Sequence, residues 1–399
     1  MRSARPRDKD PARLATTPAV DVLALQRSAG NQAVVQRLGR GQAMLQRKPA
    51  GLREPKPISS YAKEALDYWK EPGNAKKTLQ DFANHLFAKA NDALKALNVW
   101  PMLKQFDSNQ KTPGQFDGTT WTMGMNDALF VEGRTVTEVG QLTADEAAEI
   151  AGAIYHETRH AEQHFQIARM VAGASKATGN ALVQEIMKST QIPVDPAKAA
   201  STQPLVKSSG TKDRLAEATD WQAVTAGRHG GFRNIVVPWE LEVRSAKTIS
   251  YDALRGKNAR AAMDQWFAFW AGATRKKVIT DRIKSVKALK PKTTVDRLML
   301  THLQAIETQL TKVAKAWAAL QSRESKLGPK DLLDAFEKFK TNSLKSLIDV
   351  LHNAYAAFPT EDDAFAAEKA VIKEFGAIAA PPKAAPQPKV KAKAQPQPQ

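Results

Sequence analysis

The 399-residue chain contains no cysteine. Disulfides and thiolate metal sites are thereby excluded, and any metal has to be held by His, Asp or Glu. Histidine is scarce, 7 in all, so a closely spaced pair stands out. No apolar run reaches the roughly 18 residues that a transmembrane helix needs. The opening Met1-Arg2-Ser3-Ala4-Arg5-Pro6-Arg7-Asp8 has no apolar segment behind it, so no Sec-type signal is expected. Acidic residues are in deficit, 41 against 59 Lys and Arg, for a net charge of +18. Residues 1–56 carry +8 of this and 381–399 carry +4, leaving +6 for everything between. The basicity is therefore mostly terminal. With no nucleic-acid-binding motif beside it, it implies no specific nucleic-acid partner.

Against those absences stands Tyr155-His156-Glu157-Thr158-Arg159-His160-Ala161-Glu162-Gln163. It holds H-E-x-x-H. On a helix, residues four apart share a face, so His156 and His160 can turn their imidazoles to one Zn²⁺. Glu157 can then take a proton from a water that zinc has acidified towards about pH 7. The arrangement resembles the zincin metallopeptidases. Three positions depart from the strict zincin signature, which wants an apolar residue at Thr158, no basic residue at Arg159 and a small or apolar residue at Glu162. The helix context is favourable. Thr143 and Glu146 have capping-box spacing. Ala147, Ile150, Ala151, Ile154 and Thr158 recur at 3–4 spacing, so a helix is expected from Ala144 to about Ala172. His164 extends the histidine face but is not expected to be a ligand, because three side chains at i, i+4 and i+8 cannot converge on one ion.

Four regions are expected: 1–57 as a disordered or amphipathic leader and linker, 58–252 as a metallopeptidase core, 253–379 as a helical bundle, and 380–399 as a disordered Pro/Ala/Lys/Gln tail. In the core, Tyr61–Lys70 and Lys76–Leu97 read as helices. Val99–Phe106, Thr119–Met123 and Ala128–Val131 read as strands. The segment 174–235 reads as a long, partly ordered cover. In the bundle, Met263, Trp266, Phe267 and Trp270 form an aromatic face. Met299, Leu303, Ile306, Leu310, Val313, Trp317 and Leu320 follow heptad spacing, and a return helix starts near Leu332. The fold class expected is α+β, mainly α, with a small sheet and a C-terminal bundle.

Leu23, Leu25-Gln26-Arg27-Ser28-Ala29-Gly30-Asn31, Ala33-Val34 and Leu38, trailed by Leu45-Gln46-Arg47-Lys48, are similar to the leader of cargo proteins of bacterial extracellular contractile injection systems. The resemblance spans about residues 18–50. Zincin-like domains of the form H-E-x-x-H-x-x-Q often follow such leaders, and Gln163 supplies that Gln. The resemblance implies a toxin or effector made in the bacterial cytoplasm and exported as cargo. Its partners would be injection-system components and a protein or peptide substrate.

A third ligand has to come from elsewhere. Pro238-Trp239-Glu240-Leu241-Glu242-Val243 is similar to the ligand helix of compact gluzincins, which implies Glu242 as the metal-binding carboxylate. Glu240 and Glu217 remain open as rivals. Tyr251, Arg244 and His229 stand in segments suited to stabilising an oxyanion, with none singled out. The expectation is a zinc peptidase with His156, His160 and Glu242 as ligands and Glu157 as base. The alternative is a non-catalytic helical cargo or adaptor whose metal site is degenerate or purely structural.

Overall fold

A computed structural model describes residues 51–247 and 273–380, apart from Lys111, Glu132, Pro291 and Ser325. The leader at 18–50, Tyr251, the aromatic face at 263–270 and the tail from 381 onward lie outside the described residues. The described residues within 38–235, 291–299 and 353–399 form one compact unit, and those within 236–290 and 300–352 another.

The first unit opens with a short 3-10 turn, Gly51–Arg53, and helix α1, Pro55–Lys70. Helix α2, Leu79–Ala96, starts at a capping box: the Asp81 amide donates to Thr78 Oγ1 at 3.1 Å, and the Thr78 amide donates to Asp81 Oδ2 at 3.0 Å. Three short strands follow: β1 Leu103–Phe106, β2 Gly114–Asp117 and β3 Thr122–Met125. Their order is β1-β3-β2. β1 runs parallel to β3, and β2 runs antiparallel with Phe116 opposite Met123. The sheet sits where strands were expected, but its members differ. The expected first strand is shorter. β2, which carries one buried apolar residue between Pro113 and Gly118, gives too little alternation to be read from sequence. Ala128–Val131 is no strand; Asn126 caps a 3-10 turn at Asp127–Leu129 by accepting from the Ala128 amide at 3.2 Å.

Helix α3, Ala144–Ala174, carries the H-E-x-x-H motif. Its capping box forms as the spacing implies: the Glu146 amide donates to Thr143 Oγ1 at 3.2 Å, and the Thr143 amide donates to Glu146 Oε2 at 2.7 Å. Arg134 closes the same end on Glu146. α3 is buried almost all round, as a helix is when neighbours cover every face. The segment expected as a partly ordered cover instead folds into α4 Gly179–Thr190, α5 Val194–Ser201 and α6 Lys212–Thr225, all packed on α3. Helix α7, Gly230–Lys247, begins eight residues before Pro238, so Pro238 lies inside it rather than at or near its first position.

The other unit is helical, with α8 Ala273–Ala288, most of α9 Thr294–Glu324, α10 Pro329–Lys338, a π-helical stretch Phe339–Leu344, and most of α11 Lys345–Ala356. Along α9, Leu303, Ile306, Leu310, Val313, Trp317 and Leu320 are buried, as the heptad spacing implies. Trp317 packs on Phe339 with ring centroids 5.6 Å apart.

The last helix corrects the expected domain boundary. Helix α12, Pro359–Ala379, falls in the stretch 253–379 expected as a bundle, yet it packs on α3 and α1. Its Ala367, Val371 and Phe375 join the core that includes Ile150, Ile154 and Phe82. Gly152 permits the close approach, since a Cβ there would stand 2.8 Å from Ile372 Cγ1. Among the described residues no helix is long and apolar enough to cross a membrane.

Thr143→Ala should lower the stability of this unit by about 1 kcal/mol through loss of the α3 cap, whereas Thr143→Ser should stay near wild type. Thermal unfolding followed by circular dichroism measures both.

Candidate metal centre

The two motif histidines face one another on α3. His156 Nε2 and His160 Nε2 lie 3.2 Å apart. The third group comes from the first turn of α12. Glu361 Oε2 stands 3.6 Å from His156 Nε2 and 3.4 Å from His160 Nε2. All three residues are buried, Glu361 completely. They lie close enough to bind a single metal ion.

The other ring nitrogens settle which atoms carry lone pairs. His160 Nδ1 is 2.9 Å from Gln163 Oε1. Gln163 uses its amide nitrogen to donate to the Thr360 carbonyl at 2.9 Å and to Asp363 Oδ2 at 2.8 Å, so its oxygen is left to accept. His156 Nδ1 is 3.0 Å from Glu368 Oε2. Each imidazole therefore holds its proton on Nδ1 when neutral and turns a lone pair on Nε2 towards the same point. A carboxylate oxygen faces that point as well. Three electron-rich atoms at this separation repel one another unless a cation or a proton lies among them. Glu361 Oε1 makes no hydrogen bond, a second sign of a carboxylate placed to meet positive charge.

With a proton as the only cation, the charges distribute as the geometry requires. Burial opposes the positive form of His156, but its bonds to Glu361 and Glu368 and the nearby Glu157 overcome this and push it up to about 10. Burial opposes the negative form of Glu361, but His160, Arg233 and His156 hold it well below the usual carboxylate range.

The three departures from the zincin signature are buried and bonded elsewhere, Arg159 and Glu162 in a charge network. Thr158 Oγ1 bonds back to the Ile154 carbonyl at 2.7 Å. Arg159 pairs with Asp363 Oδ2 at 2.7 Å and with Glu162, and its guanidinium lies over Trp221 at 5.2 Å. Glu162 accepts the Leu52 amide at 3.0 Å, Arg53 reaches Asp363 at 2.8 Å, and the Tyr155 hydroxyl donates to the Leu52 carbonyl at 2.8 Å. The Gly51–Arg53 turn is thus bolted to the back of the metal helix. Gly51 has φ +61°, and a Cβ on it would collide with the Glu162 carboxylate, so glycine is required there.

On the other side lie groups able to act on a substrate. Glu157 Oε2 accepts the Phe116 amide of edge strand β2 at 2.8 Å. The Tyr355 hydroxyl donates to Glu361 Oε2 at 2.7 Å. Burial and the Glu361 charge raise its pKa well above the ordinary tyrosine value, so it stays a donor at neutral pH. Arg233 Nη2 lies 3.2 Å from Glu361 Oε1. His164 is not among the converging atoms, as expected. It packs edge-on against Phe116, and burial with the nearby His160 and Arg233 lowers its pKa to about 4.

The structure brings together His156, His160 and Glu157 of the expected residues, but not Glu242. Glu242 is partly exposed and pairs with Arg275 at 2.5 Å in the other unit. Glu240 is buried against Arg244 at 2.6 Å, with His352 at 3.3 Å. Glu217 lies on α6, outside the cluster. Of the residues considered for an oxyanion, Arg244 is thus committed to Glu240, and His229 bonds Asp296 at 2.7 Å. Glu361, Glu368, Tyr355 and Arg233 went unread. A signal existed for Glu361 alone: Pro359-Thr360-Glu361-Asp362-Asp363-Ala364 has nearly the same form as the segment beginning at Pro238, with Pro at the first helical position.

Compared with known proteins, the chain matches no family model, no curated protein and no solved structure.

Arg159→Ala should destabilise the first unit by about 3–5 kcal/mol, because it strands two buried carboxylates. Chemical denaturation measures the loss. A result under about 1 kcal/mol would contradict the network as described.

Proposed function

We propose that this protein is a zinc-dependent peptidase with a zincin-like, gluzincin-type core, carried as an effector by a bacterial contractile injection system. The observation that carries the peptidase part is the convergence of His156 Nε2, His160 Nε2 and Glu361 Oε2. Their spacings of 3.2, 3.4 and 3.6 Å fit the edges of a tetrahedron around one ion. Ligand bonds near 2.0–2.1 Å imply edges of about 3.3–3.4 Å. Two imidazoles and one carboxylate leave a fourth position free, the donor set of catalytic rather than closed structural zinc. The cargo part rests on the leader resemblance alone.

Zinc, when bound, would supply the Lewis acid that acidifies water and polarises a peptide carbonyl. The rest of the chemistry belongs to the chain. Glu157 takes the proton from the attacking water and returns it to the leaving amine. The Phe116 amide fixes that carboxylate against β2, whose outer edge can also pair with an extended peptide. Tyr355 stays protonated and can shift its hydrogen bond from Glu361 to the oxygen on which charge develops. Gln163 and Glu368 hold the two imidazoles in the ligating tautomer.

The burial of all three ligands favours a second reading, a metal that only braces α12 on α3. The two readings separate in one series of full-length proteins. Elemental analysis should find about one zinc per chain in wild type and in Glu242→Gln, and little in His160→Ala or Glu361→Gln. Retention of zinc by Glu361→Gln together with its loss from Glu242→Gln would overturn the ligand set. Glu157→Gln should keep its zinc while hydrolysis of a peptide library falls by about 10²-fold or more. Chelation that lowers the melting temperature, with no hydrolysis by wild type, would leave only the bracing role.

A further inference from the structure

Arg233 differs from every other partner of Glu361. The histidines are buried and Tyr355 is half-buried, whereas the Arg233 side chain keeps 41% exposure while its Nη2 lies 3.2 Å from Glu361 Oε1. Since Glu361 Oε2 faces the histidines, one carboxylate separates the guanidinium from the metal position. A half-exposed arginine is a weak choice for fixing Glu361, which Tyr355 already holds at 2.7 Å. The contact is also not an aligned hydrogen bond, since Oε1 has none. Guanidinium carries five N–H donors in a planar fork suited to bidentate carboxylate binding. Glu361 meets only one end of this guanidinium, and the exposed remainder of the fork keeps donors for a second carboxylate.

We propose that Arg233 is the specificity determinant of the site and selects substrates with a carboxylate next to the scissile bond. This deepens the peptidase reading and rests on it. Two sources could supply the carboxylate: an Asp or Glu side chain flanking the cleaved bond, or the terminal carboxylate of a short leaving segment.

The test uses full-length, zinc-loaded protein and two probes that differ in one group, acetohydroxamate and succinyl monohydroxamate. Both present the same metal-binding head, and only the second carries a carboxylate. Calorimetry should show the carboxylate probe binding wild type about 10- to 100-fold more tightly than acetohydroxamate, the span expected of a charge-assisted bidentate contact. Arg233→Gln should bring the ratio of the two affinities to about one, whatever it does to either alone, and Arg233→Lys should keep part of the ratio. Equal affinity of the two probes for wild type, or an advantage that survives Arg233→Gln, would overturn the role of Arg233 and leave the metal centre standing. Failure of both probes to bind would instead remove the peptidase centre, and the inference with it. Cleavage-site profiling of peptide libraries with free and amidated C-termini then separates the sources. Acidic residues flanking the cut in both libraries identify the side chain, and cleavage confined to free C-termini identifies the terminal carboxylate. Cuts with neither preference would overturn the proposal.

Discussion

The contact between Arg159 and Asp363 is the one on which the site depends. It joins α3 to α12 across 204 residues of chain, inside the core and two positions from the Glu361 carboxylate. Burying a guanidinium and two carboxylates is costly unless each is paired, and here each is. The geometry that satisfies Arg159 also sets the rotation and height of α12 on α3. That setting turns Glu361 to the histidines, brings Glu368 beneath His156 and puts Asp363 within reach of Gln163. One buried ion pair thus positions the third metal-facing group and two of the groups that orient the imidazoles. It also ties in the Gly51–Arg53 turn, which is held by the same charges that back the helix carrying the two histidines.

Two of the three residues that break the strict motif, Arg159 and Glu162, find their explanation in this network, and Thr158 bonds back to its own helix. A motif written for helices with an apolar back face predicts small or apolar residues at the positions of Thr158, Arg159 and Glu162. Here the back face of α3 meets Asp363, Trp221 and the Leu52 amide instead, and the polar residues match those partners. The face carrying the histidines is unaffected: Thr158 and Glu162 each stand two residues from His160, about 200° round the helix, and Arg159 is held by Asp363 and Glu162.

The front of the site is asymmetric. Tyr355 bonds Glu361 Oε2, the oxygen that faces the histidines, while Arg233 lies against Oε1 and keeps 41% of its side chain exposed. Glu157 sits between them, bonded to an edge strand whose outer backbone groups are not used by the sheet. The Glu157 carboxylate, the Tyr355 hydroxyl and the Arg233 guanidinium therefore border the three converging atoms, each supplied by a different element.

What could be read from residues alone was what neighbours in sequence impose on one another. The i, i+4 histidine face, the Thr143–Glu146 cap, the heptad stripe of α9 and the predominance of helix all follow from 3.6-residue periodicity and local hydrogen bonding. The absence of cysteine restricted the donors to nitrogen and oxygen. The third donor was not legible in the same way. Pro238 to Glu242 and Pro359 to Glu361 look alike as helix starts, and nothing local separates them. The choice fell to packing: α12 presents Ala367, Val371 and Phe375 to the α3 core and Asp363 to Arg159, whereas Glu240 and Glu242 meet Arg244 and Arg275. Which apolar face docks on which, over some two hundred residues of chain, is a property of the whole fold, and only the tertiary structure decided it.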